Sequence, residues 1–333
     1  MWLGTTLTLL AWGLVSDRVG ERAVLALGLG GCAAALVGAA TVPPFGAMVA
    51  LLALAGAAGA AVNSASGRAV MHWFGPEERG LALGVRQSAI PIGGLVTALV
   101  LPSIADARGL GAALLFLAAL CLAAAVVGAL VVRERRVDGD ELAGATFAVR
   151  DARLWTLSFG SSLYLIAQSA VLSFGVLFLH DARGFSPAAA AAVLAAVQVL
   201  ATALRIGAGM WSDRLRSRLV PLRRLGVAIA ATLGLAAALV SAPSALLVPA
   251  LVVAGGLGMS WNGLSFAAAA ELAGRARSGA AIGFQQTALS LVGVAVSPAF
   301  GWFVETTSWR AAFALASAFP LVGIAVLATV DER

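Results

Sequence analysis

Long apolar runs recur along the whole chain, and no other feature limits its fold so tightly. Eleven of them lie near residues 1–15, 23–42, 46–67, 80–102, 110–132, 154–179, 187–211, 220–240, 246–268, 279–304 and 309–330. A helix of about 20 apolar residues spans the hydrocarbon of a bilayer, so these runs predict eleven transmembrane segments in an all-α membrane protein. Prolines and polar clusters punctuate them, as in "TVPPF" at 41–45, "SIADARG" at 103–109, "HDARGFS" at 180–186, "SAPS" at 241–244 and "ETTS" at 305–308. Charged residues are only 11% of the chain and mean hydropathy is +0.96. A soluble domain carries about 25% charged residues.

The remaining charges are sorted by side. There is no lysine, so all 22 basic residues are arginines. If "SDRVGER" at 16–22 is cytoplasmic, that side and the C-terminus hold seventeen of them, including Arg68, and the opposite side holds Arg108, Arg183 and Arg310. Arg86 and Arg205 fall within helices. This is the positive-inside pattern of a multi-pass protein of the inner (cytoplasmic) membrane. The basic residues sit between apolar runs and form no polar face, which argues against a nucleic-acid partner despite the net charge of +6. The first apolar run has no basic stretch ahead of it and does not resemble a secretory signal. Cys32 and Cys121 lie inside apolar runs and are expected to be packing residues, not a disulfide or metal ligands.

The chain repeats internally. "RGLALGVRQSAIPIGG" at 79–94 aligns with "SGAAIGFQQTALSLVG" at 278–293 under a shift of 199, with identities at Gly80, Ala82, Gly84, Gln87, Ala89 and Gly94, and Asn63 meets Asn262. "SDR" at 16–18 returns at 212–214, a shift of 196. Parallel repeats of this kind are the mark of paired helical bundles in transporters.

These residues resemble the major facilitator superfamily, and the likeness runs the length of the chain. The first-half signature of that superfamily is Gly, then Asp-Arg, Gly and a basic residue between helices 2 and 3. Here it is Gly13, Asp17, Arg18, Gly20 and Arg22, with a second-half copy at Gly209, Asp213 and Arg214. "WFGPEERGLALG" at 73–84 and "GFQQTALSLVG" with "SPAFGWF" near the eleventh helix are similar to the family as well. The resemblance implies two parallel-repeat six-helix bundles: an incomplete N-terminal bundle at 1–132 (family helices 2–6), a cytoplasmic linker at 133–153 and a C-terminal bundle at 154–330 (family helices 7–12). Segment 154–179 has no partner, because the repeat shift places its counterpart before residue 1. The first family helix and about half of the second are therefore expected to be missing, through a start at an internal methionine or because the chain is a fragment.

The resemblance also assigns roles. Asp17 would latch the two halves on the cytoplasmic side by facing the helix start at Ser278–Gly279, with Asp213 doing the same near Arg79–Gly80. Glycines suit the tight turns, and a carboxylate is favoured at the positive end of a helix. Arg18, Arg22, Arg214, Gly13 and Gly20 complete the latch motif.

For the substrate, the candidates are intramembrane polar groups. All sixteen acids lie in loops or at helix ends, which leaves no carboxylate for a proton relay. Arg205 and Arg86 either snorkel and hold helix ends or bind an anion. An arginine in the eighth family helix resembles the arrangement in oxalate/formate and monocarboxylate members. Asn63 and Asn262 fall in helices 4 and 10, which line the cavity in this family, and Gln286 and Tyr164 join them as candidates. Gln87, Gln168, Gln198 and Gln285 are further intramembrane amides, and such groups also act as glue between helices.

The expected function is secondary active transport of a small solute, an organic anion first, by alternating access. The alternative is drug or multidrug efflux, although "AIPIGG" matches the Gly-Pro pairing of efflux pumps only in part. His72 and His180 sit at helix ends with no intramembrane acid nearby, so no catalytic cluster and no enzyme is expected. No cofactor or metal is called for. The expected partners are the small-molecule substrate, the lipid bilayer, and a coupling proton or counter-substrate.

Overall fold

A computed structural model describes residues 1–42, 44–132 and 150–331. Most of the expected linker, at 133–149, lies outside the described residues. At its end Arg153 bonds Asp151 Oδ2 at 2.9 Å, and that guanidinium holds the carboxyl below the usual carboxylate range.

Lipid offers no hydrogen-bond partner to a backbone, so a spanning segment must satisfy itself as a helix. The described elements are α1 Trp2–Val19, α2 Glu21–Thr41, α3 Phe45–Gly59, α4 Ala61–Trp73, α5 Arg79–Val131, α6 Ala152–Leu172, α7 Pro187–Leu215, α8 Leu219–Ala238, α9 Ser244–Gly258, α10 Asn262–Ala273, α11 Ser278–Thr306 and α12 Trp309–Leu327. Short helical turns follow α6 and precede α11. Among the described residues, nine stretches are long and apolar enough to cross a membrane. The first expected segment is α1, which is not among the nine. One of the nine, α5, holds two of the expected segments, because Gly109 leaves the helical region at φ 81 and ψ 167. Only glycine adopts that φ without strain. The same freedom at Gly20, φ 95, lets α1 end and α2 begin within one residue.

The chain divides into two compact units. Unit 1 is Met1–Gly75, Val96–Leu154 and Ala269–Thr287; unit 2 is Pro76–Leu95, Trp155–Ala268 and Ala288–Arg333. Two helices are thus shared: α5 starts in unit 2 and continues in unit 1, and α11 starts in unit 1 and ends in unit 2.

Each unit is held by small residues that bring backbones together, since burial gains little when the solvent is itself hydrocarbon. Unit 1 centres on Cys32, Ala33, Ala35, Leu36, Ala39, Ala55, Leu114 and Ala118. The Cys32 and Cys121 thiols are free and meet there at 3.8 Å. Unit 2 adds an aromatic cluster in which Phe313 meets Phe178, Phe300 and Trp309 at 5.2–6.0 Å between ring centres.

The same tight contact recurs inside each unit. A Cβ on Gly283 would lie 2.5 Å from the Leu9 carbonyl in unit 1, and a Cβ on Gly84 would lie 2.5 Å from the Arg205 carbonyl in unit 2. Gly84→Ala and Gly283→Ala should each lower stability by about 1–3 kcal/mol, the cost of overpacking. Gly30→Ala, with open space around its Cβ position, should instead leave stability level or raise it by up to about 1 kcal/mol. Thermal unfolding of the three variants in one detergent measures this, and equal effects at all three sites would refute the packing account.

Candidate functional site

The end of α1 carries Asp17 to the start of α11 within unit 1. Its Oδ1 accepts the Gly279 N–H at 2.9 Å and its Oδ2 accepts the Ala280 N–H at 2.7 Å. These are open N–H groups of a helix start, where bonds to a carboxylate are charge-assisted and the helix dipole adds to them. Glycine is required on both sides of the contact. A Cβ on Gly279 would sit 2.6 Å from Asp17 Oδ1, and one on Gly13 would sit 2.5 Å from the Gly279 carbonyl.

Unit 2 builds the same contact from the second copy of the motif. Asp213, near the end of α7, accepts the Gly80 N–H at 2.9 Å and the Leu81 N–H at 2.8 Å. Gly209 lies against the Gly80 carbonyl as Gly13 lies against that of Gly279. Under the repeat shifts, the four contact positions correspond one to one.

The cations that balance the two carboxylates come from different places. In unit 2, Arg218 of the motif copy bonds Asp213 Oδ1 at 2.5 Å and Ser212 Oγ at 2.8 Å, and its other nitrogen bonds the Pro76 carbonyl. Its counterpart in unit 1 is Arg22, which is exposed, as are Arg18 and Arg214. Unit 1 uses Arg68 of α4 instead. Its Nε lies 3.2 Å from Asp17 Oδ1, another of its nitrogens bonds Glu21 Oε2, and His72 Nδ1 lies 2.8 Å from Glu21 Oε1. All four side chains are buried.

This corrects the placement of Arg68, which the sequence put in a cytoplasmic connection. The helix does not stop near residue 67; α4 runs to Trp73, and Arg68 is only 1% exposed. Asp17 and Glu21 do lie at helix ends, but in the core. The signal that could have found the cluster is the i, i+4 spacing of Arg68 and His72, which puts both on one face of α4.

The second feature is Arg205, on α7 in unit 2. It is 3% exposed, and its Nε donates to the Met259 carbonyl at 2.7 Å, another nitrogen donates to the Gln87 carbonyl, and the third lies 3.5 Å from Asn262 Oδ1. Among the described residues no carboxylate pairs with it. A guanidinium at a helix centre costs about 2.5–3.5 kcal/mol to place in a membrane. In unit 1 the position against the matching glycine is Leu9.

The structure gathers some of the remaining candidates and separates others. Arg86 bonds the Gln87 side chain at 2.8 Å, so Arg86, Gln87, Arg205 and Asn262 form one connected group in unit 2. Its backbone partners Met259 and Gln87 were not legible in the sequence. Tyr164 is fully buried, donates to the Leu222 carbonyl at 3.3 Å and meets Trp261 edge-on at 5.9 Å. Trp261 and Asn262 lie at the break between α9 and α10. Asn63 and Gln286 are half-buried and belong to unit 1.

Residues 1–298 match the family model described as Major Facilitator Superfamily. Two relatives from Mycobacterium tuberculosis, strains CDC 1551 / Oshkosh and ATCC 25618 / H37Rv, each called an uncharacterized MFS-type transporter, are 37% identical over 325 residues. The match covers 96% of this chain and 73% of theirs. In fold the chain is similar to the E. coli fucose:proton symporter FucP, with a TM-score of 0.81 at 13% identity over 100% of this chain and 89% of that one. It is also similar to the human organic anion transporter MFSD10 (TETRAN), with a TM-score of 0.80 at 17% identity over 98% and 81%. The chain therefore belongs to the major facilitator superfamily, as a multi-pass secondary transporter of the cytoplasmic membrane and not an enzyme.

Proposed function

We propose that the protein moves a small organic anion by alternating access, with Arg205 as the anion-binding group. The observation that carries this reading is a buried guanidinium whose partners among the described residues are neutral. Both arginines singled out inside the membrane, Arg86 and Arg205, belong to unit 2, and the repeat pairs them with Gln285 and Leu9, which carry no charge. The 3.5 Å contact to Asn262 is the weakest that Arg205 makes. A carboxylate displacing it would form a charge-assisted and bidentate-capable bond, which a neutral solute cannot match. Asn262, Arg86 and Tyr164 of the same unit complete the lining, whereas Asn63 and Gln286 belong to unit 1. A coupling proton or counter-substrate completes the cycle.

Asp17 and Asp213 act in this reading as the paired cytoplasmic latch. Each grips a helix, α11 or α5, whose remaining length belongs to the other unit. Releasing either carboxylate would free the start of a helix that the two units share, a step that alternating access requires.

Uptake into proteoliposomes of a panel of labelled carboxylates (formate, acetate, lactate, oxalate and succinate) tests the site. Arg205→Gln should reduce transport of the accepted anion at least about tenfold, and Arg205→Lys should retain part of it, because the charge stays while the planar fork is lost. Normal anion uptake by Arg205→Gln would sink the proposal. Asp213→Asn should behave differently. It should still show the thermal stabilisation caused by the bound anion, while uptake falls about tenfold; loss of both would make Asp213 part of the binding site instead of a latch.

A further inference from the structure

Glu21 and His72 set the unit 1 cluster apart from the Asp213–Arg218 pair of unit 2. In unit 2 Asp213 pairs with Arg218. Among the described residues of unit 1, Asp17 and Glu21 share one arginine, Arg68, and these three charges sum to −1. The positions matching Glu21 and Arg68 under the repeat are Ser217 and Ala267, so the extra acid has no second-half equivalent. The fourth member, His72, touches Glu21 at 2.8 Å and is 7% exposed. Histidine is the side chain whose charge ordinarily changes between about pH 5 and 8.

Among the described residues, the charges on the elements that pack against α4 leave this surplus standing, and Arg18 of α1 is exposed. From α1 comes Asp17, from α2 Glu21, and from α4 itself Arg68. The short turn Arg275–Arg277 also packs against α4; Arg275 is exposed, and Arg277 donates its Nε to the Ala273 carbonyl at 3.0 Å. Arg22 of α2 is exposed, and α3 carries no charged residue. An uncompensated charge among buried groups is strongly unfavourable, and the remedies are a bound proton or the entry of water.

We infer that the His72–Glu21 pair is a proton-binding site, and that its occupancy sets how firmly Asp17 holds the start of α11. With the proton bound, the cluster is neutral and Arg68 serves both acids. With the proton lost, Glu21 has one cation fewer and competes with Asp17 for Arg68, and the surplus negative charge is relieved by opening to water. By linkage, the state that binds the proton is favoured as pH falls, so the unit 1 latch tightens in acid and loosens in alkali. The arginine asymmetry places this end of the chain at the cytoplasm, so the latch responds to cytoplasmic pH. The inference does not depend on which solute is carried.

Hydrogen exchange of the Gly279 and Ala280 amides in the intact protein in nanodiscs, without substrate, provides the test. After correction for intrinsic exchange, protection should fall by at least about tenfold between pH 6 and 8.5, within the limit of about tenfold per pH unit for one linked proton. His72→Gln should remove the slope and hold protection at the low, alkaline level. Glu21→Gln should also remove it but hold protection at the high, acid level, because the surplus charge is gone. A flat wild-type profile, or a slope that survives in His72→Gln, overturns the inference. So does a slope abolished by Asp17→Asn yet kept in Glu21→Gln, which would put the proton on Asp17. If His72→Gln fails to assemble, Glu21→Gln alone decides, since a retained slope there has the same consequence.

Discussion

A carboxylate gripping the open N–H groups of a helix start is the interaction around which each unit is arranged. It occurs twice, at Asp17 with Gly279 and Ala280 and at Asp213 with Gly80 and Leu81. In low dielectric such charge-assisted bonds are strong, and they also relieve backbone groups that lipid cannot satisfy. The grip works only where backbones nearly touch, which explains glycine at 13, 279, 80 and 209. It also accounts for the way the units divide: each takes in the beginning of a helix whose remainder belongs to the other.

Against that shared plan, the two repeats differ in where they place buried charge. Unit 2 pairs its carboxylate locally with Arg218 and buries a second guanidinium, Arg205, that has neutral partners among the described residues. Unit 1 has Leu9 at the latter position and spends its buried charge on the Asp17, Glu21, Arg68 and His72 cluster. A repeat protein of this type can therefore be compared with itself, position by position, without any alignment to other chains.

Much of this plan is legible in the order of residues alone. The apolar runs, the arginine asymmetry and the two "SDR" copies lead to an all-helical transporter of the superfamily, and the family match agrees. The break at Gly109 follows from "SIADARG", which ends on it. Hydropathy misplaces Arg68 because it ends a segment at the first charge, whereas the helix continues for as long as its backbone bonds do. Arg68, His72 and Glu21 meet in the core, and one-dimensional hydropathy has no means of recording that.

The sequence by itself determined the membrane as solvent, the helical class and the repeat, because each depends on composition along the chain and on local backbone chemistry. The tertiary structure alone decided which charges are paired. Glu21 lies 47 residues from Arg68 and 51 from His72, and Arg205 lies 118 from Gln87. Contacts across such distances depend on which faces of which helices pack together, and side chains separated in this way leave no periodic signal along the chain. Whether an intramembrane arginine is balanced by an acid, as Arg68 is, or by neutral carbonyls, as Arg205 is, follows from that packing.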